Sequence, residues 1–249
     1  MTAHSDFPLA TEPHKVLSAN KDWLIAFKPH HLLVHRTDWA MHDADNLKDR
    51  LTTDGWAHET GFLQPVHRLD RPTSGLIVFA RNPEAHAALH QLFGDRKVAK
   101  SYFALIRGWL PDEIVAVEKP LPTSHSPEPK PARTVFREVE RVECGIAMTR
   151  YPTTRLSLVE CTPETGRYHQ IRLHLKHLRH PILGDTAHGD RAHNRWLRAS
   201  DHGFALMLHA GGLSFDFNGQ NHRFQHDFSE TMKGLLNALG FQAHHNIFE

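Results

Sequence analysis

The stretch Pro65 to Ala80, PVHRLDRPTSGLIVFA, constrains the fold more than any other part of the chain. Its end, Leu76 to Phe79, is a continuous apolar run that predicts a strand buried on both faces. Ahead of the run, Pro72, Thr73, Ser74 and Gly75 predict a turn. Ahead of the turn, one carboxylate, Asp70, stands between Arg68 and Arg71. An opposite charge within a few ångströms favours the ionised carboxylate, so Asp70 is suited to act as a nucleophile or base and is a poor proton donor. The flanking arginines suit a polyanion. A charged loop at the end of a buried strand is a common address for catalysis.

With 249 residues the chain can bury a substantial core, and 40% hydrophobic with 23% charged residues is the composition of an ordinary globular protein. Its longest apolar runs fall far short of the roughly 18 residues a spanning helix needs, so no membrane is expected. The opening residues lack a basic start followed by an apolar core, so a cytoplasmic location is expected. Cys144 and Cys161 are then expected to be reduced; without a CxxC pair they make no metal knuckle. The formal net charge is only +1, so affinity for a polyanion has to come from local patches. Partial protonation of the 23 histidines near pH 6 to 7 would make such binding pH-sensitive.

Residues 1–15 are polar and aperiodic and predict a mobile tail, with residues 16–249 forming a single domain. Val16–Leu17 and Trp23–Phe27 predict paired strands around the turn Ala19 to Asp22, and Leu32–Val34 a third strand after Lys28-Pro29. Asn82 followed by Pro83 and Glu84 predicts a helix start, with Ala88, Leu89 and Leu92 as an apolar face. Lys100–Leu110 predicts a long strand. The five prolines between Lys119 and Ala132 predict a loop. Strands are expected at Thr134–Val139, Arg155–Cys161, Leu206–Leu208 and Leu213–Phe217, and helices at His169–Leu178 and Thr231–Leu239. The predicted class is α+β with a largely antiparallel sheet.

Two further segments carry chemistry. In Thr165 to His174, TGRYHQIRLH, Arg172 offers a cation for a buried carboxylate, and Ile171 offers an apolar surface for a flat ring. In Lys100-Ser101-Tyr102, the tyrosine can stack on a base and offer its hydroxyl. The bland alternatives are a structural arginine on a helix surface and a half-buried core tyrosine. His174, His177 and His180 recur every three residues, with Asp185, His188 and Asp190 close behind, so a metal site has to be weighed. Three such histidines drift around a helix and chance clusters come easily in so histidine-rich a chain, so no metal is expected. The run from His188 to Arg195 suits RNA contact, with Arg191, Arg195 and Arg198 gripping phosphates and Trp196 a base. A solvated basic loop is the usual alternative.

HRLDRPTSG resembles the catalytic motif of the RluA-type pseudouridine synthases. KSYFALIRGWL and TGRYHQIRLH resemble that family's second and third motifs in the same order, and Leu178 to Trp196 resembles its tRNA-modifying members more than its ribosomal ones, which usually carry a tyrosine where His188 stands. Unlike many relatives, the chain has no room for a preceding S4-type RNA-binding domain.

The resemblance implies the pseudouridine synthase fold with a central catalytic cleft, and isomerisation of a uridine in tRNA, at the T-stem end near the acceptor stem. By the same resemblance Asp70 acts at the ribose, either attacking C1′ or removing the 2′ proton. Arg172 pairs with Asp70, Tyr102 stacks on the uracil near C5, and Ile171 closes the opposite face. Arg68 fills the gap left by the flipped base, with His67 either helping or merely fixing the loop. Lys100, Arg191 and Arg195 complete the expected RNA contacts. The reaction needs no cofactor, and the chain is expected to act as a monomer. The alternatives are a 23S rRNA uridine as target, an N-glycosylase, or a protein that holds structured RNA without changing it.

Overall fold

The structure is a computed structural model that describes residues 12–36, 45–123, 126–148 and 151–248; most of the expected tail lies outside them. In chain order the elements are β1 (Lys15–Ala19), β2 (Trp23–Lys28), α1 (Leu47–Thr53), β3 (Gln64–Pro65), β4 (Ser74–Ala80), α2 (Pro83–Gly94), β5 (Ala99–Arg107), β6 (Ile114–Glu118), β7 (Leu121–Thr123), β8 (Ser126–Lys130), β9 (Arg133–Cys144), β10 (Thr154–Pro163), α3 (Gln170–His177), α4 (Arg191–Ala199), β11 (Leu208–Phe217), β12 (Gln220–Gln225) and α5 (Glu230–Ala238). The α+β class with largely antiparallel pairing is observed. No helix among the described residues is long and apolar enough to cross a membrane.

The chain divides into two compact units: residues 1–98 with 213–226, and residues 99–212 with 227–249. In the first, the strand order is β1-β2-β4 followed by the second half of β11, with β3 added on β4 and β12 on β11. Every residue of β2 and β4 is buried, as the unbroken apolar run Leu76 to Phe79 predicts. Trp23, Ile25, Leu76, Val78 and Phe215 form one core face, which Ala85 and Leu89 of α2 cover. That helix starts as expected: the Asn82 side chain accepts from the Ala85 amide at 2.7 Å and Pro83 follows. Phe27, paired with Leu76 across β2 and β4, stacks on His226 with ring centroids 4.3 Å apart. Asn218 and Gly219, both at positive φ, form the tight turn between β11 and β12.

In the second unit the first half of β11 is followed by β5, β10, β9 and β6. Leu105, Leu158, Phe136, Ile171, Leu175, Leu197 and Leu235 belong to one buried cluster, so α3, α4 and α5 all cover this sheet. Each such fully buried side chain contributes about 1.5–3 kcal/mol.

Four expectations are corrected. Leu32–Val34 is no strand; it supplies one parallel bridge, Leu33 to Asn46, because Lys28-Pro29-His30-His31 turns away to serve another purpose described below. The proline-rich 119–132 stretch is not all loop: β7 and β8 pair antiparallel as a separate two-stranded ribbon. A strand with one partner needs only alternate amides, so proline is tolerated there. The two late strands are a single strand, β11. The basic run after His188 is not a loop from Arg191 onward but the helix α4, capped by Asp190, whose side chain accepts from the Ala192 and His193 amides.

Candidate active site

In the first unit, the Asp70 turn is held by three hydrogen bonds that converge from the end of β2. The Lys28 side chain is fully buried, and its Nζ donates to the carbonyls of Pro29 at 2.9 Å, Leu32 at 2.8 Å and Arg71 at 3.0 Å. Three carbonyl acceptors require three donors, which only the ammonium form supplies. Burial pulls the Lys28 pKa down to about 7; the charge of Asp70 pulls it back up and that of Arg71 pushes it down. The second bond runs from His30 Nδ1 to the Pro72 carbonyl at 2.8 Å. Burial holds His30 down to about 3, so it is neutral at physiological pH. The third runs from Arg71 Nε to the His31 carbonyl at 2.9 Å.

The Thr73 amide closes the turn onto the Asp70 carbonyl at 3.0 Å, and the Thr73 hydroxyl is buried without a partner. Neither Lys28 nor His30 was among the expected site residues. A lysine and a histidine around a proline at the end of an apolar strand were the available signal; they read as turn chemistry.

Arg68 is exposed and Leu69 beside it is buried, while Asp70 is half-buried. His67 Nε2 accepts from the Val78 amide at 3.1 Å, so Nδ1 carries the proton. Its ring lies 4.6 Å from that of Phe93, nearly parallel. Those contacts fit the loop-fixing role weighed for His67.

In the second unit, TGRYHQIR folds around Gln170. Its Oε1 accepts from the Thr165 hydroxyl at 2.6 Å and the Arg167 amide at 3.0 Å, and its Nε2 donates to the Arg133 carbonyl and the Thr134 hydroxyl, both at 2.9 Å. With its side-chain amide engaged at both ends, Gln170 fixes the entry to α3. His169 before it takes a left-handed conformation, φ 52, stacks on the exposed Tyr168 and shares a hydrogen bond of 2.9 Å with His188.

Arg172 is buried, and its Nε and Nη2 fork onto the two oxygens of the equally buried Asp185 at 2.8 Å each. Asp185 also accepts from the Ala187 and His188 amides. Burial alone would raise its carboxyl; the hydrogen bonds and charge of Arg172 outweigh that and leave it below the ordinary carboxylate value. Gly184, φ +77, makes room for this loop, since a Cβ there would collide with the Ala205 carbonyl. Asp185 as the holder of Arg172 was missed: no local spacing marks a partner thirteen residues on.

Tyr102 is half-buried on β5, opposite Cys161, and Ile171 is buried in the core cluster. Burial lowers the Lys100 pKa. Arg191 and Arg195 are on the exposed face of α4, whose other face buries His193, Asn194 and Leu197. Arg198 lies 4.2 Å over the Phe204 ring, and Trp196 is half-buried against the core rather than presented to a base. The spaced histidines have separate partners. His174 bonds Thr134 and the Lys119 carbonyl, His177 bonds Lys119 Nζ, and His180 bonds the Arg107 carbonyl.

Residues 22–177 match the family model for RNA pseudouridylate synthase. The chain is 37% identical over 209 residues to a tRNA pseudouridine synthase C of Vibrio cholerae, spanning 74% of this chain and 85% of that one. It is 42% identical over 192 residues to a tRNA pseudouridine synthase C of Salmonella typhi, spanning 71% and 72%. Among solved structures, Human RNA Pseudouridylate Synthase Domain Containing 1 superposes with a TM-score of 0.70 over 93% of this chain and 96% of that one, at 23% identity, a likeness of fold.

Proposed function

The chain belongs to the RNA pseudouridylate synthase family, and on that premise we propose that it isomerises a uridine of tRNA to pseudouridine with Asp70 acting at the ribose. The N1–C1′ bond breaks, C5–C1′ forms, the C5 proton leaves and N1 gains one. Nothing is oxidised and no group is lost, so the reaction needs no cofactor or metal. Asp70 is the group at the sugar, Tyr102 the ring that stacks on the uracil, and Arg172 the cation that orients the carboxylate. Arg68, Ile171, Lys100, Arg191 and Arg195 serve substrate RNA, and His67 either joins them or fixes the loop. Residues 16–249 act as one catalytic domain, a cytoplasmic monomer. The tRNA target rests on the names of the relatives and on the Leu178 to Trp196 likeness.

The observation that carries the reading is the clamp on the Asp70 turn. Burying an ammonium among backbone carbonyls is costly, and here it holds the backbone immediately beyond one half-buried carboxylate. Positioning a reacting group in this way is how a site lowers a barrier before substrate arrives. The test is to supply purified protein, with EDTA present, with tRNA or 23S rRNA fragments labelled with tritium at uridine C5. Tritium release from tRNA without free uracil is expected. Free uracil would identify an N-glycosylase, and release from rRNA alone would leave the reaction and overturn the tRNA target.

A further inference from the structure

We infer that a cavity in the second unit, away from Tyr102, is a subsite that holds one nucleoside of the substrate RNA other than the target uridine. This rests on the RNA-modifying function proposed above. The cavity encloses about 560 Å³ and is lined by Arg107, Glu143, Tyr151, Arg155, Asp190 and His193, among others, which is the size range of ligand sites. Along β5, Tyr102 is opposite Cys161 while Arg107 is opposite Leu156. Five residues of strand place the cavity end roughly 17 Å from Tyr102.

Its chemistry selects the ligand. Asp190 Oδ1 accepts from His193 Nδ1 at 2.8 Å. Burial would raise the Asp190 carboxyl, but its hydrogen bonds to His193 outweigh that and bring it down to about 2. An ionised carboxylate only accepts, so Nδ1 carries a proton and Nε2 is the ring's remaining polar atom. That Nε2 is buried without a hydrogen-bond partner, on a residue only 9% exposed. It calls for a hydrogen-bond partner, which a ribose 2′-hydroxyl, donor and acceptor both, supplies.

The two arginines are each held by a carboxylate, Arg107 by Asp190 at 2.8 Å and Arg155 by Glu143 at 3.2 Å. The lining is therefore close to neutral, which disfavours a phosphate as the main occupant and favours the sugar and base. Tyr151, 57% exposed, offers a ring for the base. The Arg155 guanidinium is kept flat by stacking 4.4 Å over Trp109. Arg191 and Arg195, on the exposed face of the helix that carries His193, would hold the adjoining phosphates.

The test uses the full chain and a tRNA transcript. Equilibrium binding is measured for wild type, Tyr151→Ala and His193→Ala, with melting curves as folding controls, and peptides cross-linked to RNA by ultraviolet light are mapped. Loss of one stacked base should loosen Kd about five- to tenfold in Tyr151→Ala. Its salt slope should stay that of wild type, because no phosphate contact is lost. A Tyr151 peptide should carry a nucleotide adduct. Should His193→Ala melt early, the exposed Tyr151 variant and the adduct decide alone. Binding within twofold of wild type in Tyr151→Ala together with no adduct overturns the subsite, as does tight occupation by free uridine monophosphate that leaves tRNA affinity unchanged. Pseudouridine formed by the wild-type sample is read separately. Its absence overturns the proposed function whatever the binding shows.

Discussion

The ammonium of Lys28 donates to the main-chain carbonyl of Arg71 at 3.0 Å, which ties a fully buried cation to the residue that follows Asp70. Methionine has nearly the length of lysine and none of its donors. In Lys28→Met the Pro29, Leu32 and Arg71 carbonyls lose their donor, the Asp70 turn is freed, and kcat for pseudouridine formation is expected to fall more than tRNA affinity. Equal losses in both would count against a positioning role.

The same residue sets a pH dependence of stability. The pKa of Lys28 is about 7 in the folded protein against an ordinary 10.5, so between those values the unfolded chain binds more protons than the native one. Its contribution therefore makes wild type more stable as pH rises from 7 toward 10.5, by at most about 1.4 kcal/mol per pH unit, and adds no slope below 7. Lys28→Met lacks this group. Urea midpoints at pH 6, 7, 8 and 9 should show the wild-type advantage growing only above 7, and parallel profiles for the two proteins would contradict it.

The fork between Arg172 and Asp185 makes a stability prediction. Asp185→Asn leaves the buried guanidinium uncompensated and turns an amide N–H toward groups that donate. The cost expected for breaking such a buried pair is about 3–5 kcal/mol, which lowers Tm by roughly 10 °C in a chain of this size. A thermal melt checks it; a change under 2 °C, on the same size scale, would mean that the pair carries no net stability.

These three experiments concern Lys28 and the hold of Asp185 on Arg172, which sequence reading passed over, and the reasons are physical. The strand Leu76 to Phe79 and the cap Asn82-Pro83 were legible because burial on both faces and helix capping depend on neighbours in the chain. Lys28 was not, because a lysine after an apolar run ordinarily reaches water; here the chain doubles back and offers it three carbonyls. Helix α4 was hidden because its buried face is built from His193 and Asn194 beside a single leucine. Asn194 spends its amide on the Gly184 amide and the Asp185 carbonyl. That is tertiary hydrogen bonding, which no hydrophobic period announces. Asp70 and Arg172 were singled out through motif chemistry, and the carboxylate that holds Arg172 lies on a different loop.

For RNA affinity, the arginines of α4 divide by their surroundings. Arg191 and Arg195 are exposed on one face, whereas Arg198 covers the Phe204 ring, so only the first two can be removed without disturbing packing. Arg191→Ala with Arg195→Ala should weaken tRNA binding and reduce the magnitude of the slope of log K against log salt by about two. The melting temperature should stay within 2 °C of wild type, as for surface changes generally. An unchanged slope would remove this helix face from the RNA footprint.

The decisive substitution is Asp70→Asn, nearly isosteric and without charge. The turn should keep its shape, because bonds from Lys28, His30 and Arg71 to main-chain carbonyls hold it. RNA should still bind, since phosphate contacts supply most affinity. Pseudouridine formation should vanish, because an amide neither attacks C1′ at a useful rate nor accepts the 2′ proton. Arg172→Lys should be severely slowed yet measurable, because a point charge remains without the fork. Pseudouridine per tRNA by mass spectrometry, beside a binding curve for each variant, separates chemistry from affinity. Turnover in Asp70→Asn above a few per cent of wild type, with deamidation excluded by intact mass, would falsify Asp70 as the catalytic group.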